Sequence, residues 1–325
     1  MSKHRQIVLA CRGVSKSFGP KPVLHDVGLE IAAGQIVALV GPSGCGKSTL
    51  LNAVLGTHPQ SSGEIVVRRD GDEHVVDGPN RDCGIVYQQY SLPPFLTVAE
   101  SVAFGLKLDQ TSLPLRCFRP FTWRRVRRQH QELAAEAVRR VRLTDADFGK
   151  YPSELSGGMR QRVAIAQALV MKPTLLLLDE PFGALDEATR ESLQMMLLEF
   201  YEENCRAKRE GRQPPYTMIF VTHELTEAIY VADRVIGVSQ HWDWKAEGHA
   251  ACPGATIVYD KPAPVYRPGD RKNYEQFAVQ REEIRRTVFE PKTPTPRRHH
   301  VTFWDDVAAG RTGGITSITT AGGAR

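Results

Sequence analysis

One nine-residue stretch, GPSGCGKST from Gly41 to Thr49, constrains this chain more than any other. It matches the pattern G-x-x-x-x-G-K-[ST] and stands between an apolar run, Ile36 to Val40, and a helical stretch closed by Gly56. That frame predicts strand, phosphate-cradling loop and helix. Gly41, Pro42, Ser43, Gly44, Cys45, Gly46 and Thr49 would line the cradle. The glycines let backbone N–H groups turn inward around a β-phosphate, and the helix start adds partial positive charge. Lys47 would reach the β- and γ-phosphates and the Ser48 hydroxyl would bind Mg2+. Cys45 reads as a tolerated small residue more readily than as a redox switch.

The rest of the chain fits an α/β fold. Residues 6 to 240 alternate strand-length apolar runs with helix-period stretches, which predicts a parallel sheet. Buried strands are expected at Ile36–Val40, Leu175–Leu178 and Met218–Val221, each ending where a functional loop could sit. A helix over Glu187–Glu203 would place Leu193, Met196, Leu197, Phe200 and Tyr201 on one packing face. From 241 to 290 the composition predicts a partly ordered appendage, with a short helix over 273–288. From 291 to 325 the Pro-rich and Gly/Thr-rich runs predict a disordered tail.

Charge and cysteine patterns narrow the function further. The net charge is +5, but residues 1–260 hold 30 basic and 30 acidic side chains, so the excess lies in the tail. Six cysteines without a C-x-x-C pair indicate free thiols. No apolar run is long enough to cross a bilayer, and Ile7–Cys11 is too short for a secretory signal, so a cytoplasmic location is expected. Residues 116–128 carry six arginines and no acid, interleaved with Phe118, Phe121 and Trp123. Such a mixture suits nucleic acid or anionic headgroups, although a solvated surface accounts for it more simply.

A second carboxylate-bearing element follows at Leu175–Pro181, LLLLDEP. Asp179 ends an apolar strand, where it can hold Mg2+. Glu180 should point elsewhere, free to polarise an attacking water. LSGGM at 155–159 then opens a helix, making a second anion-binding helix start.

With these elements in this order, the chain resembles an ATP-binding-cassette (ABC) ATPase over roughly residues 6–240. The resemblance implies a P-loop NTPase cassette, a parallel-sheet core with a helical subdomain, followed by a short C-terminal appendage. It implies ATP and Mg2+ as cofactors. It assigns Ser156, Gly157 and Gly158 to the signature, Gly183–Asp186 to the D-loop and His223 in VTHE to the switch histidine. It also assigns Gln88, rather than Gln89, to the glutamine loop that contacts the metal, and Phe18 to the aromatic that stacks on adenine. Glu180, His223, Lys47 and Gln88 are the catalytic group, Ser48, Gln88 and Asp179 the metal group, and Asp186 joins the nucleotide-binding set.

The family pattern implies that two copies pair head to tail, the signature of one closing on ATP held by the other. LSGGMRQRV and VTHELTEAIYVADRV are most similar to the ATPases of nitrate, sulfonate and taurine importers. The implied partners are integral membrane permease subunits and a separate solute-binding protein, with the chain peripheral on the cytoplasmic face. An apolar run, Tyr90, Leu92, Pro93, Pro94, Phe95 and Leu96, is the candidate permease contact. Residues after 240 are too few for the folded regulatory domain of larger sugar-type members. The alternatives are a soluble ABC ATPase acting on nucleic acid or ribosomes, or the ATPase of a lipid transporter. The segment between Lys47 and Ser156 lacks the coiled coil or zinc insertion of DNA-repair types, so nucleic acid is the less favoured partner.

Overall fold

In the computed structural model of the protein, the described residues are 6–69, 71–89, 92–111, 120–183, 185–270, 274–290, 294–300, 302–309 and 315. Two sheets pack face to face. The first is antiparallel, ordered β2-β1-β4-β5, with β1 at Ile7–Phe18, β2 at Lys21–Ala32, β4 at Ser62–Arg69 and β5 at Asp72–Val75. The second is ordered β10-β9-β3-β8-β7-β6. Its strands are β3 at Ile36–Val40, β6 at Cys83–Val86, β7 at Leu175–Asp179, β8 at Met218–Val221, β9 at Arg234–Ser239 and β10 at Thr256–Pro262. Strands β9, β3, β8, β7 and β6 run parallel, and β10 closes one edge antiparallel to β9. The expectation of a parallel sheet therefore holds for the core; the antiparallel sheet was not foreseen.

Period-two alternation explains how both faces of the parallel sheet are covered. Val37, Leu39, Leu175 and Leu177 face the antiparallel sheet and helix α1, Lys47–Leu55, joining Leu9, Val27, Ile31, Leu50 and Val54 in one core. Ile36, Ala38, Val40, Leu176 and Leu178 face the opposite way. There they meet the helical layer: α2, Val98–Gln110; α3, Pro120–Arg140; α4, Gly157–Leu169; α5, Glu187–Arg209; and α6, Leu225–Val231. Helix α5 buries Leu193, Met196, Leu197, Phe200 and Tyr201 as the spacing predicts, and continues to Arg209. Among the described residues no helix is long and apolar enough to cross a membrane.

After residue 240 the described segments lie on the cassette, and a helix forms within the expected 273–288 stretch. Strand β10 belongs to the main sheet, and Trp242 is buried, its indole N–H donating to the Gly254 carbonyl at 3.0 Å. Helix α7, Tyr274–Ile284, sets Phe277 against Tyr266 and Tyr230, with ring centroids 5.2 and 6.3 Å apart. Farther on, α8, Phe303–Ala308, buries Phe303, and Ile315 is buried with its N–H donating to the Tyr201 hydroxyl at 2.7 Å. These segments are too polar to make their own core, yet each places one or two large apolar side chains on a surface the cassette has already built. Residues 291–293, 301, 310–314 and 316–325 of the expected tail lie outside the described residues.

Two adjacent residues at the start of β9 anchor this arrangement. Arg234, fully buried, is bidentate to Asp260 of β10 at 2.7 and 2.8 Å. It also donates to the Glu30 carbonyl at 2.7 Å and lies over the Phe303 ring, 4.4 Å from its centroid. Asp233 accepts the Ile36 N–H at 3.0 Å, and burial pushes its carboxyl up to about 7 against the opposing pull of that bond and of the Arg234 charge. The folded state thus binds this proton more tightly than the unfolded chain. The resulting stabilisation is complete below the ordinary carboxylate range and is lost as pH rises through about 7. On this basis about 2–3 kcal/mol of unfolding free energy present at pH 5 is gone by pH 8. Asp233→Asn, whose amide oxygen still accepts the Ile36 N–H, should flatten that dependence in urea unfolding; equal pH slopes for variant and wild type would refute the assignment.

Candidate nucleotide site

The C-terminal ends of β3, β7 and β8, with the segment after β6, bring the predicted residues together. Strand β3 is buried along its whole length and delivers residues 41–49 as a loop onto α1. Gly41 is required by a close approach: a Cβ there would lie 2.1 Å from the Val238 carbonyl oxygen of β9. Pro42, Gly46 and Thr49 are half-buried, and Ser43, Gly44 and Ser48 are exposed. The Cys45 thiol is buried and donates to the Val238 carbonyl at 3.3 Å; burial pushes its pKa up, which makes it a packing residue rather than a reactive thiol. Lys47 is buried, and its ammonium donates to the Gly41 and Pro42 carbonyls at 2.8 and 2.9 Å. A buried cation hydrogen-bonded to neutral oxygens of its own loop is a ready partner for an anion.

The second carboxylate element meets this loop. The Ser48 hydroxyl donates to Asp179 Oδ1 at 3.3 Å. Burial, with the neighbouring Glu180 charge adding to it, pushes the Asp179 carboxyl above its usual range. A hydroxyl and a half-buried carboxylate are hard oxygen donors of the kind Mg2+ takes, so the pair fits that ion. Glu180 adopts a left-handed backbone conformation, φ 47°, fixed by its N–H donating to the Val221 carbonyl at 3.1 Å and its carbonyl accepting the Gly183 N–H at 3.2 Å. This turn sends the Glu180 carboxylate away from Asp179. Gln88 donates its amide N–H to Glu180 Oε2 at 2.9 Å, and His223 Nδ1 stands 3.7 Å from the same oxygen. Three segments far apart in sequence thus converge on one carboxylate.

Two further residues hold His223 in place and were not singled out from the sequence. The Thr222 hydroxyl accepts the Glu224 N–H at 3.0 Å and donates to the buried Glu227 at 2.9 Å. Only the position of Thr222 directly after an apolar strand hinted at such a role. Phe18, at the end of β1, is exposed, with His58 edge-on at 6.1 Å and the Lys16 ammonium 5.0 Å from its ring centre. One ring face can therefore receive a planar base.

The signature lies elsewhere. Ser156 caps α4, its hydroxyl accepting the Met159 N–H at 3.3 Å, and Gly157 and Gly158 open the helix. A Cβ on Gly158 would lie 1.9 Å from Thr189 of α5, so only glycine allows this helix contact. Asp186 caps α5 by accepting the Thr189 N–H at 3.0 Å, and hydrogen bonding from the Thr189 hydroxyl and then its N–H lowers the Asp186 pKa. Signature and D-loop residue therefore share Thr189, and among the described residues no hydrogen bond joins Ser156 or Asp186 to residues 41–49. Ala184 of the D-loop, and Tyr90 of the apolar run, lie outside the described residues. The remainder of that run includes Phe95, 74% exposed.

Comparison with known proteins agrees with this geometry. The family model described as ABC transporter matches residues 24–183. The aliphatic sulfonates import ATP-binding protein SsuB 2 of Pseudomonas aeruginosa is 35% identical over 290 residues, covering 89% of this chain and 88% of that relative. The chain belongs to the ABC transporter family. The sulfate/thiosulfate import ATP-binding protein CysA 1 of Agrobacterium fabrum is 40% identical over 228 residues, or 70% of this ABC protein, which spans 60% of that longer relative. Among solved structures, a dimeric post-hydrolysis state of the ATP-binding cassette MJ0796 bound to ADP and Pi matches with a TM-score of 0.57 and 25% identity. It covers 79% of this chain and 100% of that one. A second dimeric structure of the same bacterial ABC transporter cassette matches at 0.54 with 29% identity, covering 70% and 93%. The cassette fold expected from the sequence is thus present.

Proposed function

We propose that this chain is the ATP-hydrolysing subunit that powers import of a small sulfur oxyanion, of the sulfonate or sulfate class, through a separate membrane permease. The observation that carries the ATPase reading is the convergence of Gln88 and His223 on Glu180, one residue after the Asp179–Ser48 pair. The solute class is supported by relatives named for sulfonate and sulfate/thiosulfate import. In this reading Lys47 leaves its loop carbonyls for the β- and γ-phosphates, and the backbone N–H groups of residues 43–49 close around them. Phe18 supports the adenine. Ser48 and Asp179, with Gln88 alongside, hold Mg2+, which when bound offsets charge on the phosphate oxygens. Glu180 orients the attacking water and takes its proton, and His223 steadies charge that develops on the γ-phosphate.

In this reading a second copy, placed head to tail, would supply Ser156, Gly157, Gly158 and Asp186 to the nucleotide. The related cassettes solved as dimers support that arrangement. Binding then drives closure because the bridging γ-phosphate contacts the signature only in the closed dimer. Residues after 240 are part of the same unit in this reading, since β10 completes the cassette sheet. The chain would sit on the cytoplasmic face through its permease, served by a solute-binding protein. The test is purification of the tagged chain from mildly solubilised membranes. A stoichiometric multispanning permease is expected, with at least a tenfold loss of it on Phe95→Asp at the exposed contact. Recovery of ribosomes or nucleic acid in a soluble preparation would overturn the transport reading.

A further inference from the structure

Helix α3 contains a feature that neither ATP chemistry nor permease contact uses. From residue 130 onward it is embedded: His130, Ala134, Ala137 and Val138 are buried. Its preceding residues, 121–129, include no buried side chain. Trp123 and Val126, half-buried, lie on the same side as His130, so the opposite side faces outward. That outward stripe, at spacings of three and four residues, is Phe121, Arg124, Arg125 and Arg128.

Phe121 is 82% exposed, the most exposed large apolar side chain among the described residues. Arg128 pairs with Glu132 at 3.1 Å, but Arg124, Arg125 and Arg127 have no acidic partner among the described residues. The first turn of α3 has no acidic residue, so the positive end of the helix dipole adds to the arginine charge. Charge is left uncompensated here, while the chain through residue 260 balances 30 basic with 30 acidic side chains.

We infer that this stripe is a docking surface for anionic phospholipid headgroups. Guanidinium groups meet phosphates with good geometry, and an exposed ring between them suits the boundary of headgroup and acyl chain. Nucleic acid is the poorer fit. Useful affinity for it needs an extended basic track over many phosphates, whereas this stripe, Phe121 to Arg128, spans about two helical turns. The inference stands on α3 alone and does not depend on the identity of the solute or on the permease contact.

The test is sedimentation of the full chain, without permease, with vesicles of phosphatidylcholine alone or containing phosphatidylglycerol, at about 0.15 M salt. Binding to the anionic vesicles and none to the neutral ones is expected. Each basic residue at an anionic surface contributes about fivefold, so Arg124→Gln/Arg125→Gln should weaken binding about thirtyfold. Arg124→Lys/Arg125→Lys should retain it, and ATP turnover should be unchanged in both. These substitutions lie on the solvent side, and unchanged turnover reports an intact fold. Equal binding to neutral vesicles, no effect of the glutamine pair, or tighter binding to duplex DNA than to the anionic vesicles at the same salt would each overturn the proposal.

Discussion

Glu180→Gln should reduce steady-state ATP hydrolysis by roughly two to four orders of magnitude, the range general base catalysis contributes, while ATP binding stays intact. Glutamine preserves the side-chain length and can still pair with Gln88, which holds the carboxylate at 2.9 Å, and the Lys47–Ser48–Asp179 cluster is untouched. What is lost is the ability to accept a proton from water. Binding without turnover should also trap the ATP-bound closed dimer, visible as a doubling of mass in size-exclusion chromatography with light scattering. Near-normal turnover would exclude Glu180 as the base. Loss of binding as well would instead mean that the left-handed turn at 180, φ 47°, supports the phosphate loop rather than only the water.

Arg234→Ala should be the most damaging single change to stability. It removes one half of a buried ion pair whose side chains are 1% and 8% exposed, leaving Asp260 charged and without its partner. Breaking such a pair from one side costs about 3–5 kcal/mol. At this size that lowers Tm on the order of 10 °C. The double variant Arg234→Ala/Asp260→Ala should cost less than the sum of the singles, because no uncompensated charge remains. Additive losses in thermal unfolding would show that the two residues act separately. The same substitution removes the cation beneath Phe303, so protease resistance of α8 should fall together with global stability.

Much of the candidate site is legible in sequence because its chemistry is carried by contiguous strings. GPSGCGKST specifies a strand, loop and helix, and the bonds from Lys47 to the Gly41 and Pro42 carbonyls follow locally, although the need for glycine at 41 is set by distant Val238. LLLLDEP encodes a buried strand ending at Asp179, with Glu180 next, although it is the left-handed turn at Glu180 rather than strand alternation that sets the direction of the second carboxylate. The assignments of Gln88, His223, Phe18 and the signature came from a family resemblance rather than from local physics. Thr222 and Glu227 escaped because a hydroxyl and an acid five residues apart gain meaning only when a turn brings them to 2.9 Å.

The strand–loop–helix frame, the buried parallel strands and the residue types of the phosphate cluster follow from local pattern, since each depends on neighbours within a few positions. Three other features arise only once distant parts of the chain meet. Tertiary structure placed β10 and α8 on the cassette through Arg234, Asp260 and Phe303, converting polar segments into parts of the fold. It built the antiparallel sheet through distant pairings such as Leu9 with Val67, and set it against the parallel one through the core shared by Leu9, Ile31, Val37 and Leu39. It also set Ser156 at the start of α4 and Asp186 at the start of α5, each hydrogen-bonded into its own helix rather than to residues 41–49, with the two helices meeting at Gly158 and Thr189. The physical reason is common to all three: these are contacts between distant residues, whose energies come from burial and charge pairing that no local pattern records.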